Sequence, residues 1–149
     1  MLRCRAFTLI ELLVVLVIVT ILSAIAYPSY TSYVVKARRI EGQVALLETL
    51  QNQERYYSLH NAYIAFSADS NGADEKRFKW WSGQSAKTSA YELSGRPCPG
   101  SSLRDCIELQ AVPGTSRVDR AFRDPDCETL TLVSTREQRA GGKQQRCWP

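Results

Sequence analysis

Apolar residues follow three successive patterns along this chain. Across residues 7–26, FTLIELLVVLVIVTILSAIA, they are continuous, and only Thr8, Glu11, Thr20 and Ser23 interrupt them. As a helix rising ~1.5 Å per residue, that run is ~30 Å long, the thickness of a bilayer's hydrocarbon core. From Ser29 the apolar positions recur every three or four residues instead. Tyr30, Tyr33, Val34, Ala37, Ile40, Val44, Leu47 and Leu50 mark one face, with Lys36, Arg38, Arg39, Glu41 and Arg55 interleaved. This is the stripe of an amphipathic helix, with one face expected to be covered. Gly42 weakens it by about 1 kcal/mol relative to Ala. Pro28 stands where the two patterns meet. A proline inside a helix deletes one backbone hydrogen bond and crowds the carbonyl of Ala24, so a kink is expected. The two stretches read as one long helix that fades near Asn61, with two helices hinged at Pro28 as the alternative.

Residues 66–89 are polar and lose periodicity. Phe78, Trp80 and Trp81 stand out, read as aromatics that pin the loop to the helix or, alternatively, as a contact surface for another subunit. After Ser89 the period switches to two. Residues 90–94, 107–111 and 129–132 alternate as strands do, with a Gly-, Pro- and Ser-rich stretch at 95–102 and a turn at Gly141 and Gly142 before a short end at 144–148. Three or four antiparallel strands with one apolar face need cover, and the amphipathic helix supplies it: an α+β fold.

The 149 residues hold room for one small globular domain beyond the apolar run. Net charge is +4, and it falls to +2 without Arg3 and Arg5, too small an excess to argue for nucleic acid by itself. Those two arginines ahead of the run keep the N-terminus cytoplasmic and send the rest outward. Cys4 precedes the run. Cys98, Cys106, Cys127 and Cys147 follow it, in a compartment and domain size where disulfides are expected. Four cysteines allow three pairings; Cys98 with Cys106 and Cys127 with Cys147 are favoured because each closes a local loop. A zinc site is the alternative, but no C-x-x-C is present and His60 is the sole histidine. Neither a G-x-S-x-G elbow nor a phosphate loop occurs, and Gly141-Gly142-Lys143 lacks the P-loop spacing. No enzyme, cofactor or metal is indicated.

Residues 7–26 admit three readings. A plain anchor leaves Glu11 unexplained, because an ionisable group at the bilayer centre costs roughly 2.5–3.5 kcal/mol or more. A secretory signal peptide has the A-x-A form at Ala24-Ile25-Ala26, but its apolar region is ~7–15 residues long and gains nothing from an acid. The third reading accounts for the basic head, the acid and Phe7 together. Arg-Ala-Phe-Thr-Leu-Ile-Glu, residues 5–11, resembles the processing site of type IV pilins and related pseudopilins. The resemblance implies a leader at 1–6, cut by prepilin peptidase between Ala6 and Phe7, and methylation of the new Phe7 amine. The family usually has glycine where this chain has Ala6.

The charge logic of Glu11 is independent of the family. A free α-amino group has a pKa of roughly 7.7–8 and is largely cationic at neutral pH. In a lipid-like setting, opposite charges in contact relieve the desolvation cost that either bears alone. Glu11 of one subunit can thus meet the Phe7 amine of a neighbour and mark the register of assembly.

Two further stretches resemble minor pilins of the PilE type. Glu54-Arg55-Tyr56-Tyr57, with Tyr63 following, looks like the end of their long helix. Asp126-Cys127, Leu130-Thr131-Leu132, a Gly-containing turn and Cys147-Trp148 look like their C-terminal D-region, closed by a disulfide. The resemblance implies the type IV pilin fold, with a long N-terminal helix packed on a small antiparallel sheet. It divides the chain into the leader 1–6, a transmembrane and assembly half of the helix at 7–28, an amphipathic half at 29–60, and the αβ-loop, sheet and disulfide region at 61–149. It implies a minor pilin held in the bacterial inner membrane, then incorporated into an extracellular pilus with other pilin subunits to prime or cap the fibre, in support of twitching motility or adhesion. One alternative is a DNA-binding minor pilin of the ComP type, because Arg136, Arg139, Lys143 and Arg146 exceed Glu137 by three charges inside the C-terminal loop. The other is a type II secretion pseudopilin, which generally lacks a C-terminal disulfide loop.

Overall fold

The computed structural model describes residues 7–143 and 146–149. The leader 1–6, including Cys4 and Ala6, and residues Gln144 and Gln145 lie outside the described residues. The chain divides into two compact units, residues 1–36 and 37–149. A single helix, α1 (Leu9–His60), has residues in both and keeps its helical pattern through residue 28.

From Leu9 to Ile25 the apolar side chains of α1 are all exposed, with no membrane present. One of the polar interruptions is absorbed by the helix itself. Thr20 Oγ1 donates to the carbonyls of Leu16 and Val17, at 3.0 and 2.8 Å. A hydroxyl bonded back to its own helix is tolerable in an apolar medium. Thr8 is the residue before the helix and its Oγ1 accepts the Glu11 N–H at 3.4 Å. T-x-x-E is the capping-box spacing, so Glu11 also sits at a helix-starting position.

The second unit holds a four-stranded antiparallel sheet in the order β1 (Tyr91–Pro97), β2 (Ile107–Pro113), β3 (Leu130–Val133), β4 (Gln138–Ala140). The alternating segments became β1, β2 and β3. The fourth strand precedes the turn at Gly141 and Gly142, where no alternation of apolar residues announced it. Leu93, Ala111 and Leu130 are consecutive cross-strand neighbours, as are Gly95, Leu109 and Leu132, and they form the inner face. Leu46 and Leu50 of α1 complete the core from above. Asn61 ends the helix in the left-handed region (φ 52°), its N–H donating to Tyr57 O at 2.8 Å.

One expectation is corrected. Of the apolar stripe read as the covered face, Leu50 is buried, but Ile40, Val44 and Leu47 are left open, 50%, 46% and 42% exposed. The buried face is instead Arg39, Gly42, Gln43, Leu46, Thr49, Leu50 and Gln53. Polar residues occupy it because each meets a partner. Gln53 exchanges both amide bonds with the backbone of Ile64, at 2.8 and 3.0 Å, and Gln43 donates to the Cys147 carbonyl. Gly42 is there for space, since a Cβ would lie 2.8 Å from the ring of buried Tyr91. Phe78 does pin the αβ-loop, stacking on Phe66 at 5.4 Å and meeting Tyr56 edge-on at 6.0 Å.

Candidate functional site

Two regions carry the candidate chemistry. At the N-terminal end, Phe7 and Glu11 are exposed, and among the described residues no cation meets the Glu11 carboxylate. A lone acid therefore sits at the head of an uncovered apolar helix.

The C-terminal region is held to α1 by a buried ion pair that sequence reasoning missed. Arg39 Nε and Nη2 donate to Asp124 Oδ2 and Oδ1 at 2.7 and 2.6 Å, and Nη2 also reaches Asp126 at 3.3 Å. Tyr91 Oη donates to Asp124 Oδ2 at 2.6 Å, and the Cys127 N–H to Oδ1 at 3.2 Å. Burial works against ionised Asp124, but the bonds from Arg39 and Tyr91 prevail and hold its carboxyl below the usual range. Burial, with the bond to Asp124, pushes the Tyr91 phenol up. Tyr63 is likewise pushed up to about 12 by burial and by its bond to Glu54. Nothing in the sequence could have paired Arg39 with a residue 85 positions away, because it stood as one of several charges interleaved with an apolar stripe.

Cys127 bonds Cys147 across 20 positions and Cys98 bonds Cys106 across 8, with Cα atoms 5.6 and 5.5 Å apart. Trp148 near the end of the chain is tied to β4, its Nε1 donating to the Arg139 carbonyl at 2.9 Å.

The four candidate cations do not form one free cluster. Arg139 is spent on the sheet's outer face, 3.0 Å from buried Glu108 and 3.2 Å from Glu137. Glu108 also takes Arg96 at 2.7 Å. Arg136, Lys143 and Arg146 are exposed and carry no ion pair among the described residues. Arg136 has φ 68°, at the tip of the β3–β4 hairpin, on the wall of a cavity of ≈ 660 Å³ shared with Leu47, Glu54 and Leu132. Arg117 is held by Asp69, its Nη2 2.6 Å from each carboxylate oxygen. His60 stacks on Tyr56 at 4.0 Å, and no group of metal-ligating residues occurs among the described residues.

Comparisons with known proteins bear on both regions. The prokaryotic N-terminal methylation motif matches residues 1–27. The family model described as type IV minor pilin ComP, DNA uptake sequence receptor, matches residues 28–131. Among solved structures, a type IV pilin from Shewanella oneidensis is 25% identical, covering 77% of this chain and 98% of its own, with a TM-score of 0.48. The non-core minor pilin PilV of Neisseria meningitidis is 21% identical, covers 78% of this chain and 95% of its own, and shares the fold at a TM-score of 0.52. No curated protein matches the chain. With more than two thirds of its residues inside that one family model, the chain belongs to the type IV minor pilins of the ComP family.

Proposed function

We propose that this minor pilin is processed between Ala6 and Phe7, waits in the inner membrane, and enters the fibre by packing its helix against neighbouring subunits. The observation that carries this reading is an apolar helix, open on every side from Leu9 to Ile25, with an acid at its start that meets no cation among the described residues. The uncovered stripe of Ile40, Val44 and Leu47 offers neighbours more apolar surface of the same kind. Glu11 meets the methylated Phe7 amine of the adjacent subunit, and neither charge then bears its desolvation cost alone. As a minor subunit it primes or caps the fibre, in support of twitching motility or adhesion. Glu11→Ala is expected to leave membrane insertion at the wild-type level and to lower recovery in sheared fibres at least about tenfold, the factor that about 1.4 kcal/mol of lost pairing commands. Immunoblots of membrane and fibre fractions check this; recovery equal to wild type contradicts it.

A second reading, DNA uptake, is favoured by the description of the matching family together with Arg136, Lys143 and Arg146, three exposed cations free of ion pairs among the described residues. If these cations contact phosphates, a gel shift of duplex DNA by the full chain in detergent weakens as salt rises. Replacing all three by Ala reduces the salt slope by about 3, at roughly 0.9 per phosphate contact. No shift at low salt, or an unchanged slope in the variant, rules this reading out.

A further inference from the structure

The αβ-loop builds a groove that neither assembly nor the basic C-terminal residues use. Its backbone is stapled to the edge of β1: Trp81 bridges Glu92, Phe66 bridges Gly95, and the Trp80 carbonyl accepts the Leu93 N–H at 2.8 Å. Phe78 is buried and Trp80 packs against the core. Lys79 lies over Trp81, its Nζ 5.6 Å from the ring. The two indoles meet edge to face at 5.0 Å. Together with Ser67, Ser70, Asn71 and Lys76 they line a cavity of ≈ 560 Å³.

Hydrogen-bonding roles on its walls are lopsided. Ser70 Oγ accepts the Ser67 N–H at 3.0 Å and Ser67 Oγ accepts the Asp69 N–H at 3.2 Å, so both hydroxyls keep a proton to donate. The Asn71 amide and the Lys76 ammonium have no side-chain partner among the described residues. Trp81 Nε1 is buried, without a partner among the described residues, and the indole offers the groove its ring rather than its N–H. The one carboxylate on the wall, Glu75, is turned to the Gly72 N–H. Unspent donors therefore crowd a groove floored by aromatic rings, and its occupant has to bring acceptors, negative charge and an apolar face.

We propose that this groove binds an anionic oligosaccharide. A pyranose ring lays its C–H face on an indole, its hydroxyl oxygens accept from Ser67, Ser70 and Asn71, and its carboxylate or sulfate faces Lys76. Duplex DNA suits the groove poorly because its base faces are hidden in the stack, where indoles cannot reach them.

The test is tryptophan fluorescence of the full chain in detergent micelles, titrated with tetragalacturonate, a sulfated heparin tetrasaccharide, neutral maltotetraose and a short DNA duplex. At least one anionic sugar is expected to bind saturably and to weaken with salt, and maltotetraose to bind at least about tenfold more weakly. Lys76→Gln is expected to weaken binding about tenfold, as loss of one bond to a charged group does, and exposed Asn71→Ala to weaken it by a smaller factor. Fibre incorporation of Lys76→Gln equals wild type, which keeps this site separate from assembly. Absence of binding by both anionic sugars, equal affinity for maltotetraose, unchanged affinity in Lys76→Gln, or displacement of the sugar by an equal concentration of duplex would each overturn the proposal.

Discussion

Replacing Arg39 by Ala is expected to lower the unfolding free energy of the 37–149 unit by about 3–5 kcal/mol, the usual cost of stranding one partner of a buried ion pair. Asp124 is 3% exposed and depends on Arg39 for two of its bonds, with only Tyr91 and the Cys127 N–H left to it in the variant. The pH dependence should reverse. In the native chain the Asp124 pKa lies below its unfolded value, so its stabilisation is complete above that value, about 3.9, and is lost as pH falls through the folded pKa. Without Arg39, burial dominates and the folded pKa rises above the unfolded one. Stability of Arg39→Ala then increases as pH falls through that raised value. Urea unfolding of the full chain, followed by tryptophan fluorescence at neutral and weakly acidic pH, reads both effects. The double variant Arg39→Met/Asp124→Leu, with neither charge left, should recover most of the loss. A loss under about 1 kcal/mol, the usual worth of a surface ion pair, or an unchanged pH slope contradicts the clamp.

The second large effect belongs to the bond between Cys127 and Cys147. Replacing both by Ala is expected to cost about 3 kcal/mol, the chain entropy of a loop of this length. The end of the chain then depends on the Gln43 bond to the Cys147 carbonyl and the Trp148 bond to β4. Cys98 and Cys106 close a loop less than half as long, so their removal costs less. Denaturant midpoints of the two double variants give the comparison. A midpoint for Cys127→Ala/Cys147→Ala equal to wild type shows that the bond does not brace the C-terminal region.

What was legible in the sequence follows from which forces are local. The continuous apolar run, the period of three to four after Ser29 and the period of two from Tyr91 are local signals, and they became α1, β1, β2 and β3. β4 is three residues long and borders solvent, so it carries no alternation to read. The rotation of α1 was misread for a specific reason. Hydrophobic periodicity assigns the apolar stripe to the nearest core, whereas Arg39, Gln43 and Gln53 turn the other face inward by bonding loops distant in sequence. Ile40, Val44 and Leu47 are left with no cover inside the subunit. Gly42 looked like a weakness of the helix and is a seat for the Tyr91 ring. Among the candidate cations, Arg139 was read as available charge because Glu108 lies 31 positions away on another strand.

All of the assembly reading depends on a cationic terminus at Phe7 coming within reach of a neighbour's Glu11. Mass spectrometry of sheared surface fibres measures this most directly, by reading the first residue of the incorporated chain. The account predicts a chain that starts at N-methylated Phe7. A fibre-borne chain starting at Met1, or one cut after Ala26 and starting at Tyr27, contradicts it.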